Sequence, residues 1–321
     1  MVNYLKKGKG WILLGIMLVL VFGLVGCNTS DADSESNDKV ITIGYQKNGP
    51  LIILKTLGTL EERLEKEGYT VEWKLFQAGP ALLEALNAES IDFGRTGNTP
   101  PIFAQAADAP FIYLAAGYSK FLGSGILVHK DSPIQTLEDL KGKTIGFAKG
   151  SSSHYLLIKA LEKAGIAYED ITPAYLQPGD ARIAFEQGQI DAWVVWDPFA
   201  SAAQVESDAK FLVNGEGLTT DRDFFVVTRQ FAKGNEEILP VVLEEIEKSS
   251  KWANENHEEL IPMIAEILGI KEEAIKVAVE RREFGVEEIT EDIIMEQQNI
   301  ADIFYELDII PKKLDVNEVM Q

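Results

Sequence analysis

Three consecutive serines, residues 151–153, follow Gly150 where a predicted strand runs into a predicted helix. The apolar run TIGFA at 144–148 predicts a buried strand, and YLLIKAL at 155–161 predicts a helix. The first N–H groups of a helix have no acceptor inside it, and the helix dipole adds partial positive charge there. Such a turn is suited to an anion, although serines at helix starts also serve as simple caps.

A second turn repeats this pattern. The residues GNTP at 97–100 follow a short predicted strand, with a glycine at the bend, polar residues after it, and a proline where a helix needs no internal N–H. If two lobes face each other, both helix N-termini can point into one cleft. That geometry suits a tetrahedral oxyanion.

Further polar and aromatic residues are predicted at the ends of other strands. Lys47 is either a cation for the cleft or a solvated lysine, and Trp196 is either core or a wall for an apolar ligand tail. Arg222 is either solvated or a second cation, which Asp223 could hold in place. The candidate ligand-binding residues are Gln46, Lys47, Asn98, Thr99, Ser151, Ser152, Ser153, Trp196, Asp197, Arg222 and Asp223.

The composition restricts the possible partners. The chain has 321 residues and a net charge of −21, which disfavours nucleic acid and anionic membrane surfaces as partners of the folded body. Its single cysteine, Cys27, excludes disulfides, thiolate zinc sites and a cysteine nucleophile elsewhere in the chain. An acidic protein that binds an anion must rely on local dipoles and a few placed cations.

The N-terminal segment predicts export and lipidation. Basic residues precede an apolar run that ends in LVGC at 24–27, which resembles a bacterial lipobox. Residues 1–26 would be a lipoprotein signal peptide, and Cys27 would be the lipidated mature N-terminus. The polar, acidic residues 27–39 predict a flexible tether. The expected location is the outer face of the cytoplasmic membrane of a Gram-positive bacterium, with Cys27 as the only membrane contact.

From residue 40 the sequence alternates predicted strands and helices, and it becomes helical beyond residue 230. This order predicts an α/β protein with mostly parallel sheets and helices on both faces. Residues 40–123 with 230–321 are expected to form lobe I, and residues 124–229 to form lobe II. A long helix is expected from residue 51 to 66.

Enzyme motifs are incomplete. Ser152 lacks the second glycine of a nucleophile elbow, and the three histidines have no spacing that suggests a triad or a metal site. The GKT at 142–144 lacks the leading glycine of a phosphate-binding loop. The sequence therefore predicts a binding protein without cofactor or metal. Besides a binding protein and an enzyme, the third candidate class of function is a sensor or adhesin lobe with no small ligand.

Several segments, in order along the chain, resemble the aliphatic-sulfonate-binding proteins of ATP-driven importers. This resemblance implies a two-lobed, type II periplasmic-binding-protein fold that closes on a sulfonate and delivers it to an ABC permease and its ATPase for sulfur acquisition. Asn98 departs from the acidic residue or serine expected in relatives. The matching segments are GYQK at 44–47, FQAGP at 76–80, TGNTPPIFAQ at 96–105, KGSSSH at 149–154, DAWVVWDP at 191–198, ADIFY at 301–305 and IPKK at 310–313.

The resemblance implies where the ligand lies. The sulfonate would sit between the Asn98–Thr99 turn and the serine turn, helped by Gln46, with its alkyl tail toward Trp196. The protein would act as a monomer. The alternative ligand is taurine or another small anion of the nitrate type; an ammonium would need a free carboxylate such as Asp197 or Asp223.

Overall fold

The computed structural model describes residues 39–320. The predicted signal peptide (1–26) and Cys27 lie outside the described residues, and so does the predicted tether, except for Lys39, which is the first residue of a strand. No helix between residues 39 and 320 combines the length and the apolar character that crossing a bilayer requires.

Eleven strands are described. In chain order they are β1 (Lys39–Gln46), β2 (Tyr69–Phe76), β3 (Phe93–Gly97), β4 (Phe111–Gly117), β5 (Ser124–His129), β6 (Thr144–Phe147), β7 (Thr172–Tyr175), β8 (Ala192–Trp196), β9 (Ala209–Asn214), β10 (Asp223–Thr228) and β11 (Val286–Glu287).

Twelve α-helices connect these strands in the described part of the chain, with short 3₁₀ turns between some of them. They are α1 (Pro50–Leu57), α2 (Thr59–Glu65), α3 (Gly79–Asn87), α4 (Pro100–Ala106), α5 (Ser152–Ala164), α6 (Pro178–Glu186), α7 (Phe199–Glu206), α8 (Arg229–Gly234), α9 (Leu239–Glu255), α10 (His257–Leu268), α11 (Glu272–Glu280) and α12 (Glu291–Glu306).

The strands form two sheets, one in each lobe. The first has the order β11-β4-β10-β3-β1-β2, and the second has the order β7-β6-β8-β5-β9. Both are mixed rather than mostly parallel. The β1–β2, β1–β3, β6–β7 and β6–β8 pairs are parallel, whereas β5 and β10 run antiparallel to their neighbours. These two strands are the first that the chain forms after each crossing between the lobes.

The return crossing comes earlier than the sequence suggested. The strand β10 belongs to the first sheet, where it pairs with β3 and β4. The chain therefore returns between Asn214, the end of β9, and Asp223, the start of β10, and not near residue 230. An apolar strand gives no sign of which sheet it joins, because only its tertiary partners decide that.

The helix expected over residues 51–66 is two helices. The chain breaks at Gly58, which adopts a left-handed conformation (φ 71°) and ends α1 by donating its N–H to the carbonyl of Leu54. Glycine at this position ends a helix without steric cost. After the break, α2 packs Leu60 and Leu64 into the same core cluster as α1.

The helix α1 is central to lobe I. Its residues Leu51 and Leu54 pack with Val242 of α9 in one core cluster. Its other face packs against α10 and α11, where Ile53 meets Ile264 in a second cluster. Both faces of α1 are therefore buried, and its N-terminal end lies beside the site described next.

Candidate functional site

The serine turn has the predicted form. The buried strand β6 ends at Phe147, Gly150 adopts φ 73°, and α5 begins at Ser152. The Ser151 hydroxyl donates to the Ala148 carbonyl at 2.7 Å and makes no cap on the helix. The alternative reading of simple capping therefore does not hold for Ser151. The first N–H groups of α5 remain available to a guest, and the helix dipole favours a negative one.

A buried histidine supports this turn from behind. The Nδ1 atom of His154 accepts the Gly150 N–H at 3.3 Å, so its Nε2 carries the proton and donates to the Tyr168 hydroxyl at 3.1 Å. The His154 ring stacks on Phe147 with 4.9 Å between centroids. Burial, with a smaller contribution from Lys149, lowers the pKa of His154 to about 3. The imidazole is therefore neutral at physiological pH.

The turn of lobe I meets the serine turn but presents different atoms. A side chain at Gly97 would collide with the Ser152 hydroxyl, so the two turns are in contact. The Thr99 hydroxyl donates to Asn98 Oδ1 at 3.1 Å, and Asn98 Nδ2 contacts Thr219 at 3.5 Å. Because α4 opens with two prolines, its first two residues have no N–H to offer.

Buried charges lie beside the two turns. The guanidinium of Arg95, 2 % exposed, is paired with Asp223 and donates to Asn48 Oδ1 at 2.9 Å. Lys120 Nζ lies 2.7 Å from Asp221 and 3.4 Å from Asp223, and Arg282 lies 3.1 Å from Asp223. Burial alone would raise the pKa of Asp223, but the three cations hold it well below its usual range.

A second ion pair joins the lobes nearby. Arg281, the residue after α11, lies 3.4 Å from Asp197 and donates to Gln204 at 2.8 Å. Its guanidinium stacks over the ring of Phe211 at 5.0 Å. Asp197 also accepts the Ser201 N–H at 2.8 Å. Burial raises the pKa of Asp197, and Arg281 opposes that rise.

The charged cluster carries one surplus positive charge. We define it as the cations Arg95, Lys120, Arg281 and Arg282 with the carboxylates Asp197, Asp221 and Asp223. Within residues 39–320, the Nε atoms of Arg95 and Arg282 have no acceptor. Burying a donor without an acceptor destabilises the folded protein, and burying an unpaired charge destabilises it more. A monoanion bound here would balance the charge of the cluster.

The two lobes enclose a small cavity of about 20 Å³, larger than the 10–15 Å³ that one water requires. Its wall combines the serine turn, the lobe I turn and part of the charged cluster. The lining residues are Gln46, Asn48, Gly79, Arg95, Gly97, Pro100, Lys120, Ser151, Ser152, Trp196, Asp221 and Asp223.

Five of the predicted site residues meet in this cavity: Gln46, Ser151, Ser152, Trp196 and Asp223. The Gln46 amide donates to the Arg95 carbonyl at 3.1 Å, so it supports the strand beside it. Trp196, 9 % exposed, ends β8 and packs on Ala78 and Ala148.

The other predicted residues lie outside the cavity. Lys47 and Asp197 line a neighbouring apolar cavity, and Ser153 is buried in the first turn of α5. The side chains of Asn98 and Thr99 form a hydrogen bond with each other. Arg222 pairs with Glu287 and lies 2.9 Å from Glu296.

The sequence analysis missed all four cations of the cluster: Arg95, Lys120, Arg281 and Arg282. Arg95 had a signal, because an arginine inside an apolar strand must be paired when the strand is buried. Lys120, in the first crossing, and Arg282, after α11, had none, since their partner Asp223 is remote in sequence. Residues 39–320 contain no group of three or more His, Cys, Asp or Glu side chains that could hold a metal ion.

The two sheets with a cavity between them define a two-lobed periplasmic-binding-protein fold. The crystal structure of the periplasmic aliphatic sulphonate binding protein SsuA from Escherichia coli matches it with a TM-score of 0.81 and 38 % identity, covering 88 % of this chain and 92 % of that one. The alkanesulfonate-binding protein SsuA from Xanthomonas axonopodis pv. citri, bound to MOPS, matches with a TM-score of 0.85 and 37 % identity, covering 88 % and 98 %.

The comparisons of sequence agree with the structural matches. The chain belongs to the NMT1/THI5-like family, whose model matches residues 64–260. A relative described as an aliphatic sulfonates-binding protein of Bacillus subtilis (strain 168) is 35 % identical over 319 residues, covering 98 % of this chain and 95 % of the relative. The expected family resemblance and fold are thereby confirmed.

Proposed function

We propose that the protein is an extracytoplasmic solute-binding protein that captures aliphatic sulfonates between its two lobes and delivers them to an ABC permease. One observation carries the proposal: the uncapped serine turn lies beside a buried cluster with one surplus positive charge. A sulfonate is a permanent monoanion with three acceptor oxygens. It needs donors on every buried oxygen and offers none, which suits amide and guanidinium N–H groups.

The state of the carboxylates favours a plain alkanesulfonate over taurine. The ammonium group of taurine would need a free carboxylate. Asp223 is held by Arg95, Lys120 and Arg282, Asp221 is held by Lys120, and Asp197 is held by Arg281. A second cation would have to compete with these pairs, and breaking a buried pair is costly.

The contacts of His154 favour binding over hydrolysis. Activation of Ser152 as a nucleophile would require a nearby base. His154 is the histidine nearest in sequence, but the Gly150 N–H and the Tyr168 hydroxyl use its two nitrogens. The proposed function is therefore capture without chemical change, by a monomer that needs no cofactor.

Isothermal titration calorimetry tests the proposal. Ethanesulfonate should bind with saturable heat. Taurine and ethyl phosphate should bind more weakly, because taurine brings an unpaired ammonium and the phosphate monoester is partly protonated at pH 7. Equal affinity for ethanesulfonate and ethyl phosphate would contradict a site built for a permanent anion. No heat with any sulfonate would refute the function itself.

The proposal includes the location and the hinge. We place the protein at the outer face of the cytoplasmic membrane, anchored through lipidated Cys27, with crossings near Gly123 and between Asn214 and Asp223 as the hinge. Changing Cys27→Ser should release the protein into the medium, whereas the wild type should stay in the membrane fraction. Equal retention of both proteins would contradict the anchor.

A further inference from the structure

A second, apolar cavity adjoins the site on the lobe I side. It has a volume of about 50 Å³ and lies where α1 packs against α10 and α11. Its mouth carries polar groups, including Lys47, Asp197 and Arg282. Its interior is lined by aliphatic side chains, among them Ile52, Ile53, Leu260, Ile264, Ile275 and Val279.

Shared residues link this cavity to the serine turn. A narrow space lies between the two. Trp196 and Ala278 line it, together with the charged residues Lys120, Asp197, Asp221 and Arg282. Asn48 lines all three spaces, while Ala278 and Arg282 line both the narrow space and the apolar cavity. The three spaces are therefore adjacent and follow one another from the serine turn, past Trp196 and Ala278, into the core of lobe I.

The change in polarity along this series occurs inside the apolar cavity. The serine turn and the narrow space hold helix N–H groups and members of the charged cluster, whereas the apolar cavity holds hydrocarbon beyond its polar mouth. A polar group at the far end would lose its hydration without gaining a partner. The series of spaces therefore matches an amphiphile with one anionic head and a saturated tail.

We propose that the apolar cavity receives the hydrocarbon tail of the sulfonate and that Ala278, at its entrance, sets the accepted chain length. This rests on the proposed function. Because one water-sized group needs about 10–15 Å³, a volume of 50 Å³ holds a tail of roughly three to five carbons. Trp196 then lies beside the first carbons of the tail rather than at its end.

A larger groove between the lobes is the competing place for the tail. It has a volume of about 450 Å³ and is bordered by Ala107, Lys149 and Tyr175. Tyr175 is half exposed there. A tail in an exposed groove remains partly in contact with water and gains less from burial than a tail in the lobe I core.

Calorimetry with linear sulfonates from methane- to octanesulfonate tests the inference. In the wild type, affinity should rise roughly fourfold for each methylene that enters the apolar cavity, from about 0.8 kcal/mol per buried CH₂, and should level off within the series once that cavity is filled. Ala278→Leu fills the entrance, so the ratio of pentane- to methanesulfonate affinity should fall at least tenfold. The matched control Ala107→Leu, in the outer groove, should keep the wild-type ratio.

Ile264→Ala provides a second variant in case Ala278→Leu folds poorly. It enlarges the cavity, so the chain length at which affinity levels off should increase by one or two carbons. A ratio lowered by Ala107→Leu and not by Ala278→Leu would place the tail in the outer groove and overturn the inference. Binding without any dependence on chain length would also overturn it, while the proposed function would stand.

Discussion

The two glycine turns of the cleft look alike in sequence and differ in what they present. Each follows a buried strand, contains a glycine and leads into a helix, although only Gly150 adopts a positive φ and Gly97 is still part of β3. The turn of lobe II opens the 13-residue helix α5 with serines, all of which keep their N–H groups. The turn of lobe I opens the seven-residue helix α4 with Pro100 and Pro101, which have none.

This difference implies an asymmetric grip on the anion. In the proposed site, lobe II offers backbone donors at the start of α5. Lobe I contributes charge instead, through Arg95 on β3 and Arg282 after α11. A pair of similar turns therefore does not mean a pair of similar binding ends, because the residues just after the glycine decide which donors remain.

The largest expected effect on ethanesulfonate affinity comes from placing a carboxylate at one of the two turns, in separate variants. Ser152→Asp would place negative charge where the anion should lie and should weaken ethanesulfonate binding more than a hundredfold. Asn98→Asp, at the corresponding turn of lobe I, should cost less than tenfold, because Asn98 faces Thr99 and Thr219. Titration calorimetry on both variants, with melting curves to confirm folding, measures the contrast. Equal losses would remove the asymmetry.

A smaller effect should follow from changing the charge count of the cluster. Arg95→Met removes the surplus positive charge, so ethanesulfonate affinity should fall about tenfold. The same change removes one partner of the buried Asp223 carboxylate. Asp223→Asn added to Arg95→Met restores one surplus positive charge. The double variant should therefore bind more tightly than Arg95→Met alone. The opposite order would show that Arg95 acts by a specific contact and not through net charge.

The last expected effect is on stability and not on affinity, and it concerns the support behind the serine turn. The pKa of His154 is about 3 in the fold against 6.5 for the free side chain, so only the unfolded chain takes up this proton as the pH falls below 6.5. Because of this proton uptake, the free energy of unfolding should fall by about 1.4 kcal/mol between pH 7.5 and pH 5.5.

Denaturant unfolding at the two pH values measures that cost. His154→Gln cannot take up the proton, so its stability should change less than that of the wild type over the same interval. If the two proteins lose stability equally, His154 is not the group responsible. Binding should be unaffected by titration of His154 in this range, because the imidazole stays neutral in the folded protein.

The sequence predicted the parts of the site that depend on local structure. Strand–turn–helix patterning located the Gly150 turn, and alternating strands and helices indicated an α/β fold with two sheets. Local patterning could not reveal ion pairs such as Arg95 with Asp223, which join residues distant in the chain. It also could not show that β10 inserts between β3 and β4, since register and neighbours are decided by tertiary packing.

A crystal structure with bound ethanesulfonate tests the central claim most directly. The asymmetric grip predicts sulfonate oxygens within about 3 Å of the backbone N–H groups at the start of α5, at Ser152 and Ser153. It also predicts a guanidinium of lobe I as the nearest cation. A sulfonate held by Asn98 and Thr99, or bound away from Ser152, would contradict the account.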